Sequence, residues 1–232
     1  MGNYRKIRID HKGYAIIGDT NSLTEQTSTL MLHGASLASS RKRYFNVRED
    51  LLKYGQPSVA FDFFGHGETG GELKSSSLID RIEQASNFLN TEYLKSPYNI
   101  VGSSMSGYVA IKLSERYPVN NLVLIVPAVY HKKAINLEFN NGFSDLIRQD
   151  KSWDETDAWG ILENFKGKLL IISAQNDKVI PAEVINKIFS SAKKASKKEI
   201  VEIKGSGHSI LDFIDDNGLN KMVAEKINEF IS

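Results

Sequence analysis

Short apolar runs alternate with longer stretches whose apolar residues recur at helical spacing. Lys6 to Ile9 and Tyr14 to Ile17 read as two short strands joined near Gly13. Ser28 to Leu32 predicts a third strand, ending at His33-Gly34. Ser40 to Tyr54 reads as a helix closed by Gly55 and Pro57, and Ser58 to Phe61 as a buried strand ending at Asp62. Ser75 to Leu94 predicts a long amphipathic helix with Leu78, Ile82, Ala85, Phe88 and Leu89 on one face. Asn99 to Val101 is a strand, Met105 to Tyr117 a helix stopped by Pro118, and Asn121 to Val126 a strand ended by Pro127. The pattern loosens over 128–166, which predicts a small, mainly helical excursion. It then resumes with a strand at Lys168 to Ser173 and a helix at Ala182 to Ala192. A strand at Glu199 to Ile203 and a closing helix at Asn217 to Ile231 complete it.

Strands that alternate with helices of ten or more residues predict an α/β fold, with parallel strands and helices on both faces of the sheet. In such sheets ligands bind beyond the carboxyl ends of the strands, so short motifs at those ends carry the most weight. A chain of 232 residues without repeats or a low-complexity linker is expected to form one domain. At 166 minus 128 residues and one more, the excursion is too short to be a second one.

Composition narrows the function. There are 29 Lys plus Arg against 28 Asp plus Glu, a net charge of +1, which gives no electrostatic footprint for nucleic acid. The run Lys193, Lys194, Lys197 and Lys198 reads as a solvated turn. The absence of cysteine excludes disulfides, thiolate nucleophiles and cysteine-ligated metal sites. Met1 to Asp10 mixes charges with Ile7 and Ile9 and has no apolar core of signal length, and no apolar run approaches the ~20 residues that cross a bilayer. The expectation is a cytoplasmic protein with no membrane partner.

The segment Asn99-Ile100-Val101-Gly102-Ser103-Ser104-Met105-Ser106-Gly107 has a strand before it and a helix after it. That is the context of a nucleophile elbow, where a sharp turn presents a serine above the sheet. Ser104 is the expected nucleophile. Gly102 and Gly107 supply the small neighbours the turn needs, while Ser106 stands where the G-x-S-x-G pattern has glycine.

A serine needs a base and an acid that orients it, and in this context they follow in the order Ser, Asp or Glu, His. Downstream of Ser104 lie His131 and His208. His131, beside Lys132 and Lys133, reads as solvated surface. His208, in Gly205-Ser206-Gly207-His208 after the last strand, is the expected base. Asp177, after the preceding strand, is the expected acid, although an Asx turn ahead of Pro181 would also explain it. Asp154 and Asp157 are its rivals. Oxyanion donors are expected from the backbone N–H of Met105 and, in the loop Leu32-His33-Gly34-Ala35-Ser36, of Ala35.

With these pieces in order, the sequence resembles the α/β-hydrolase superfamily along essentially its whole length. The resemblance rests on His33-Gly34, on Asp62-Phe63-Phe64-Gly65-His66-Gly67-Glu68-Thr69, on the elbow at Ser104, on Asp177 with Val179 and Pro181, and on Gly207-His208. It is similar to small bacterial carboxylesterases of the cinnamoyl or feruloyl esterase and monoacylglycerol lipase kinds. The resemblance implies a mostly parallel eight-stranded sheet and a structural role for the 62–69 loop, His66 included. It also implies a small helical lid at 128–166 that covers the nucleophile and supplies most of the substrate pocket. Trp153 and Trp159 either line that pocket or anchor the lid. The implied activity is hydrolysis of a small carboxylic ester through Ser104, His208 and Asp177, with no metal and no cofactor. A thioesterase on the same residues and a ligand-binding member of little turnover are the alternatives.

Overall fold

The computed structural model describes residues 4–22 and 26–232. Eight strands form one sheet: β1 (Arg5–His11), β2 (Tyr14–Thr20), β3 (Thr27–Leu32), β4 (Ser58–Phe61), β5 (Leu94–Ser103), β6 (Val119–Ile125), β7 (Lys168–Ala174) and β8 (Lys197–Ile203). Their spatial order is β1-β2-β4-β3-β5-β6-β7-β8. β2 pairs antiparallel with both β1 and β4, and every other pairing is parallel.

Period-two alternation divides the core between two faces. Leu122 and Leu124 of β6, with Leu169 and Ile171 of β7, join one apolar cluster. Val123, Ile125, Leu170 and Ile172 join the other. The first cluster is covered by α2 (Leu78–Leu89), α3 (Met105–Arg116), α5 (Ala158–Asn164) and α6 (Ala182–Ser191). The second is covered by α1 (Phe45–Lys53), α7 (Ile210–Asp216) and α8 (Asn220–Ile231). A five-residue helix, α4 (Phe143–Ile147), lies in the excursion. This is the architecture of the α/β-hydrolase fold, as the sequence implied.

Several elements differ from their expected extents, among them β5, expected over Asn99 to Val101 and found over Leu94–Ser103. The helix expected over Ser75 to Leu94 is α2 alone. It is capped at its start by Ser77, whose hydroxyl accepts from the Asp80 N–H at 3.3 Å. It stops at Leu89 because Leu94 is recruited into the sheet opposite Thr27. The first expected helix divides into a 3₁₀ turn at Arg41–Tyr44 followed by α1. The closing helix is preceded by α7, and the two are separated by Gly218, whose φ of +66° ends a right-handed helix.

The chain runs from β3 to β4 on one side and returns to β5 on the other, so connections diverge at the β3–β5 boundary. In register there, Leu32 lies beside Gly102, and Ser103 lies beside Ile125 of β6. The loops after β3, β5, β7 and β8 therefore share one edge of the sheet, with a crevice at this switch point.

Candidate active site

The turn at Ser104 is backbone held under strain. Ser104 has φ 51° and ψ −118°, a combination that costs a non-glycine residue of the order of 1–3 kcal/mol and persists only where its surroundings enforce it. The Ser104 N–H donates to the Ile125 carbonyl at 2.8 Å, and the Ser104 carbonyl accepts from Gly107 at 2.9 Å and Ala128 at 3.0 Å. The glycines are there for room. A Cβ on Gly102 would come within 2.3 Å of the Ser106 carbonyl oxygen, and one on Gly107 within 2.6 Å of Pro127 Cβ. Ser106 fits, fully buried, with its hydroxyl donating to the His33 carbonyl at 2.5 Å.

Ser104, His208 and Asp177 come together at the carboxyl edge. Ser104 Oγ lies 2.9 Å from His208 Nε2. His208 Nδ1 lies 2.9 Å from Asp177 Oδ2. The two carboxylate oxygens of Asp177 make different contacts. Oδ1 accepts the Val179 and Ile180 N–H groups at 2.8 and 3.0 Å, closing a turn, while Oδ2 faces the imidazole. A carboxylate accepts but cannot donate, so Nδ1 carries the proton and Nε2 offers its lone pair to Ser104 Oγ. Asp157 instead accepts from Tyr108 Oη at 2.7 Å and Lys112 Nζ at 2.8 Å, and Asp154 pairs with Lys187. Neither rival reaches His208.

Gly34 brings the loop after β3 against the serine: a Cβ there would sit 3.3 Å from Ser104 Cβ. A cleft of about 80 Å³ is walled by Gly34, Ala35, Ser104 and His208 among others. Met105 opens α3, so its N–H has no acceptor within the helix.

The excursion contributes nothing to the lining of that cleft. It builds 10 of the 16 residues around a neighbouring cavity of about 720 Å³, Trp153 and Tyr130 included, which Val179–Val184 close on the far side. Ala128, on the cavity wall, is the residue whose amide bonds the Ser104 carbonyl. Trp153 and Trp159 also anchor: Lys187 of α6 places its ammonium 5.5 and 5.0 Å from their ring centres. His131 is not solvated surface. It is 7% exposed, accepts the Lys133 N–H at 3.0 Å, and packs in the excursion. Of the lysine run, only Lys193 and Lys194 form a turn, with Lys193 paired to Glu163, while Lys197 and Lys198 open β8 and Lys198 Nζ donates to the Phe189 carbonyl at 2.9 Å.

The 62–69 loop is structural. Asp62 accepts the Arg41 and Glu68 N–H groups at 2.7 and 2.9 Å and pairs with the Arg41 guanidinium. Hydrogen bonds from Lys6 and Arg41 hold the Glu68 carboxyl down to about 2. Among the described residues no group of His, Asp and Glu could hold a metal ion.

Sequence reasoning missed the packing beneath the 33–36 loop. Arg81, fully buried, donates to the Gly34 carbonyl at 3.3 Å and to His66 Nδ1 at 3.3 Å. Its signal was present: Arg81 lies three residues after Leu78 and four before Ala85, a charge on the apolar face of α2.

Comparisons with known proteins bear on the family and the fold. Residues 25–149, more than half of the chain, match the hydrolase family described as serine aminopeptidase, S33. The mouse monoacylglycerol lipase ABHD6 is 33% identical over 105 residues, which are 44% of this chain and 30% of that protein. The match thus spans less than a third of that relative's length. An esterase of Pyrococcus furiosus superposes with a TM-score of 0.71 at 21% identity, covering 99% of this chain and 92% of its own. A monoacylglycerol lipase of Paleococcus ferrophilus gives 0.69 at 18%, covering 91% and 98%. At such identities these two show a shared fold. The family match covers the β3 loop, the elbow and its helix, and the chain therefore belongs to the serine aminopeptidase S33 family of α/β-hydrolase serine hydrolases.

Proposed function

We propose that the protein cleaves a small carboxylic ester through an acyl-enzyme on Ser104. The observation that carries this reading is the relay of 2.9 Å and 2.9 Å from Ser104 through His208 to Asp177, built on the strained elbow. Ser104 Oγ attacks the carbonyl carbon while His208 Nε2 takes its proton, and Asp177 holds the imidazole and balances its charge. The N–H groups of Ala35 and Met105 stabilise the oxyanion. His208 returns the proton to the leaving alcohol. Water then loses a proton to His208 and attacks the acyl carbonyl, and His208 passes that proton to the departing Ser104 Oγ as the acid is freed. The acyl group extends into the cavity of about 720 Å³, with residues 128–166 as its lid-like wall. That the mouse relative bears the name of a monoacylglycerol lipase, and the archaeal ones those of an esterase and a lipase, supports an ester over an amide.

A fluorophosphonate probe and a panel of chromogenic esters, thioesters and aminoacyl amides test it. The expected result is one adduct, mapped to Ser104, and ester turnover that Ser104→Ala removes. An adduct on Ser103 or Ser106, or better turnover of thioesters or amides than of every ester, overturns it. Binding of ester analogues without turnover identifies a ligand-binding member.

A further inference from the structure

The Gly34 carbonyl and the Ala35 N–H belong to the same peptide group. That carbonyl receives two donors. Phe63 N–H donates to His33 Nε2 at 3.1 Å, so the His33 proton sits on Nδ1, which donates to the Gly34 carbonyl at 2.7 Å. Arg81 Nη1 adds the second, at 3.3 Å. Hydrogen bonds to a carbonyl draw electrons along the peptide and make its N–H a stronger donor.

Arg81 is an odd residue to bury for the sake of architecture. It is 0% exposed, its Nε has no partner, and among the described residues no carboxylate pairs with it. Its neighbours are the neutral rings of Phe63, centred 4.5 Å away, and Phe139, at 5.8 Å, together with His66. Burial lowers its pKa to about 9, the direction expected of a cation that loses water and gains no counter-ion. A buried, unpaired charge is a cost to the fold, and a well-packed apolar side chain in its place is often as stable or more so. Its charge is used if negative charge develops at the other end of the peptide that it bonds.

We propose that Arg81 is a positioning residue of the oxyanion site: through the Gly34 carbonyl it fixes the Gly34–Ala35 peptide and strengthens the Ala35 N–H. The inference rests on the esterase reading above. Loss of one direct oxyanion donor costs of the order of 10²–10³ in kcat. Arg81 acts one peptide away, so the expected loss is smaller, about tenfold to thirtyfold.

The experiment compares wild type, Arg81→Met and Arg81→Lys with one ester. It measures kcat, KM, thermal midpoint and inhibition by a boronic acid, whose adduct with Ser104 is tetrahedral and anionic. Arg81→Met is expected to lose about tenfold to thirtyfold in kcat and in boronate affinity alike, with KM little changed and a midpoint no lower than wild type. Arg81→Lys, with one donor group in place of a fork, is expected to fall between the two. Unchanged kcat in folded Arg81→Met overturns the proposal. So does a kcat loss that leaves boronate affinity intact, or failure of both variants to fold, which would make Arg81 architectural. Absence of ester turnover in wild type is a different failure, that of the esterase reading.

Discussion

The Ser106 hydroxyl donates to the His33 carbonyl at 2.5 Å, and so ties the first turn of the helix after Ser104 to the strand end that carries the 33–36 loop. Both residues are buried, Ser106 completely. Serine in place of the usual glycine is thus a link between the two loops that meet at Ser104.

Removing that link should destabilise the protein even when the substitution restores the G-x-S-x-G pattern. Ser106→Ala leaves a buried carbonyl short of its donor, which costs about 1–3 kcal/mol. Ser106→Gly loses the same bond and adds the entropic penalty of glycine in a helix, about 1 kcal/mol. At ~2–4 °C per kcal/mol for a chain of this size, the midpoint should fall in the order wild type, Ser106→Ala, Ser106→Gly. Calorimetry checks the order, and a Ser106→Gly variant as stable as wild type contradicts it.

Stability should fall in mild acid. Burial lowers the pKa of His33 well below 6.5, and burial also lowers those of His11 and His66. Arg81 pushes His33 and His66 the same way, and Lys12 does so for His11. Above pH about 6.5 these histidines are neutral in both folded and unfolded chains and contribute nothing to the pH dependence. Below it the unfolded chain takes up protons that the folded one refuses, so stability declines as pH drops, by up to about 1.4 kcal/mol per pH unit for each histidine. Glu68, held down to about 2, loses its contribution only as pH falls below the ordinary 4.5, outside this window. Urea unfolding between pH 7.5 and 5 measures the slope, and a flat profile refutes the prediction.

Lys187 sits between Trp153 and Trp159 and pairs with Asp154, fastening the excursion to α6. The pairing is partly exposed, so Lys187→Met should change global stability by less than about 1 kcal/mol. Its effect should fall on the cavity that Trp153 walls. KM for a bulky acyl ester should rise several-fold more than KM for an acetate, and tryptophan emission should shift to the red. Equal effects on both esters would separate the excursion from acyl recognition.

What could be read from the chain was local and periodic. The strand boundaries at Ser58–Phe61 and the positions of Ser104, Asp177 and His208 follow from apolar runs that end in turn residues, and each chemical group sits at such an end. The errors came where distant residues decide. Leu94 carries helical spacing but is drawn into the sheet by Thr27. His131 looks exposed among lysines, yet Glu155 and the folded excursion enclose it. Gly218, at a φ of +66°, divides the last helical region into α7 and α8, which both pack on the same face of the sheet. Arg81 could be seen as out of place on its helix, but nothing in its spacing points to Gly34, 47 residues away.

Asp177→Asn should separate the two tasks of that side chain. An asparagine can keep its carbonyl oxygen on the Val179 and Ile180 N–H groups and so preserve the turn, and the fold with it. Its amide nitrogen then faces His208 Nδ1 as a donor, where Asp177 had accepted. The imidazole must present a lone pair there and move its proton to Nε2, the atom facing Ser104 Oγ. A protonated Nε2 cannot take the serine proton, so kcat should fall by a factor of the order of 10⁴, as in the comparable protease triad. Asp157→Asn is the control: it weakens the bonds from Tyr108 and Lys112 and should lower stability by about 1–3 kcal/mol with turnover nearly intact. Circular dichroism and kcat/KM on the two variants decide between them. If folded Asp177→Asn keeps near-wild-type turnover while Asp157→Asn loses it, the histidine is oriented by a different carboxylate from the one it faces here.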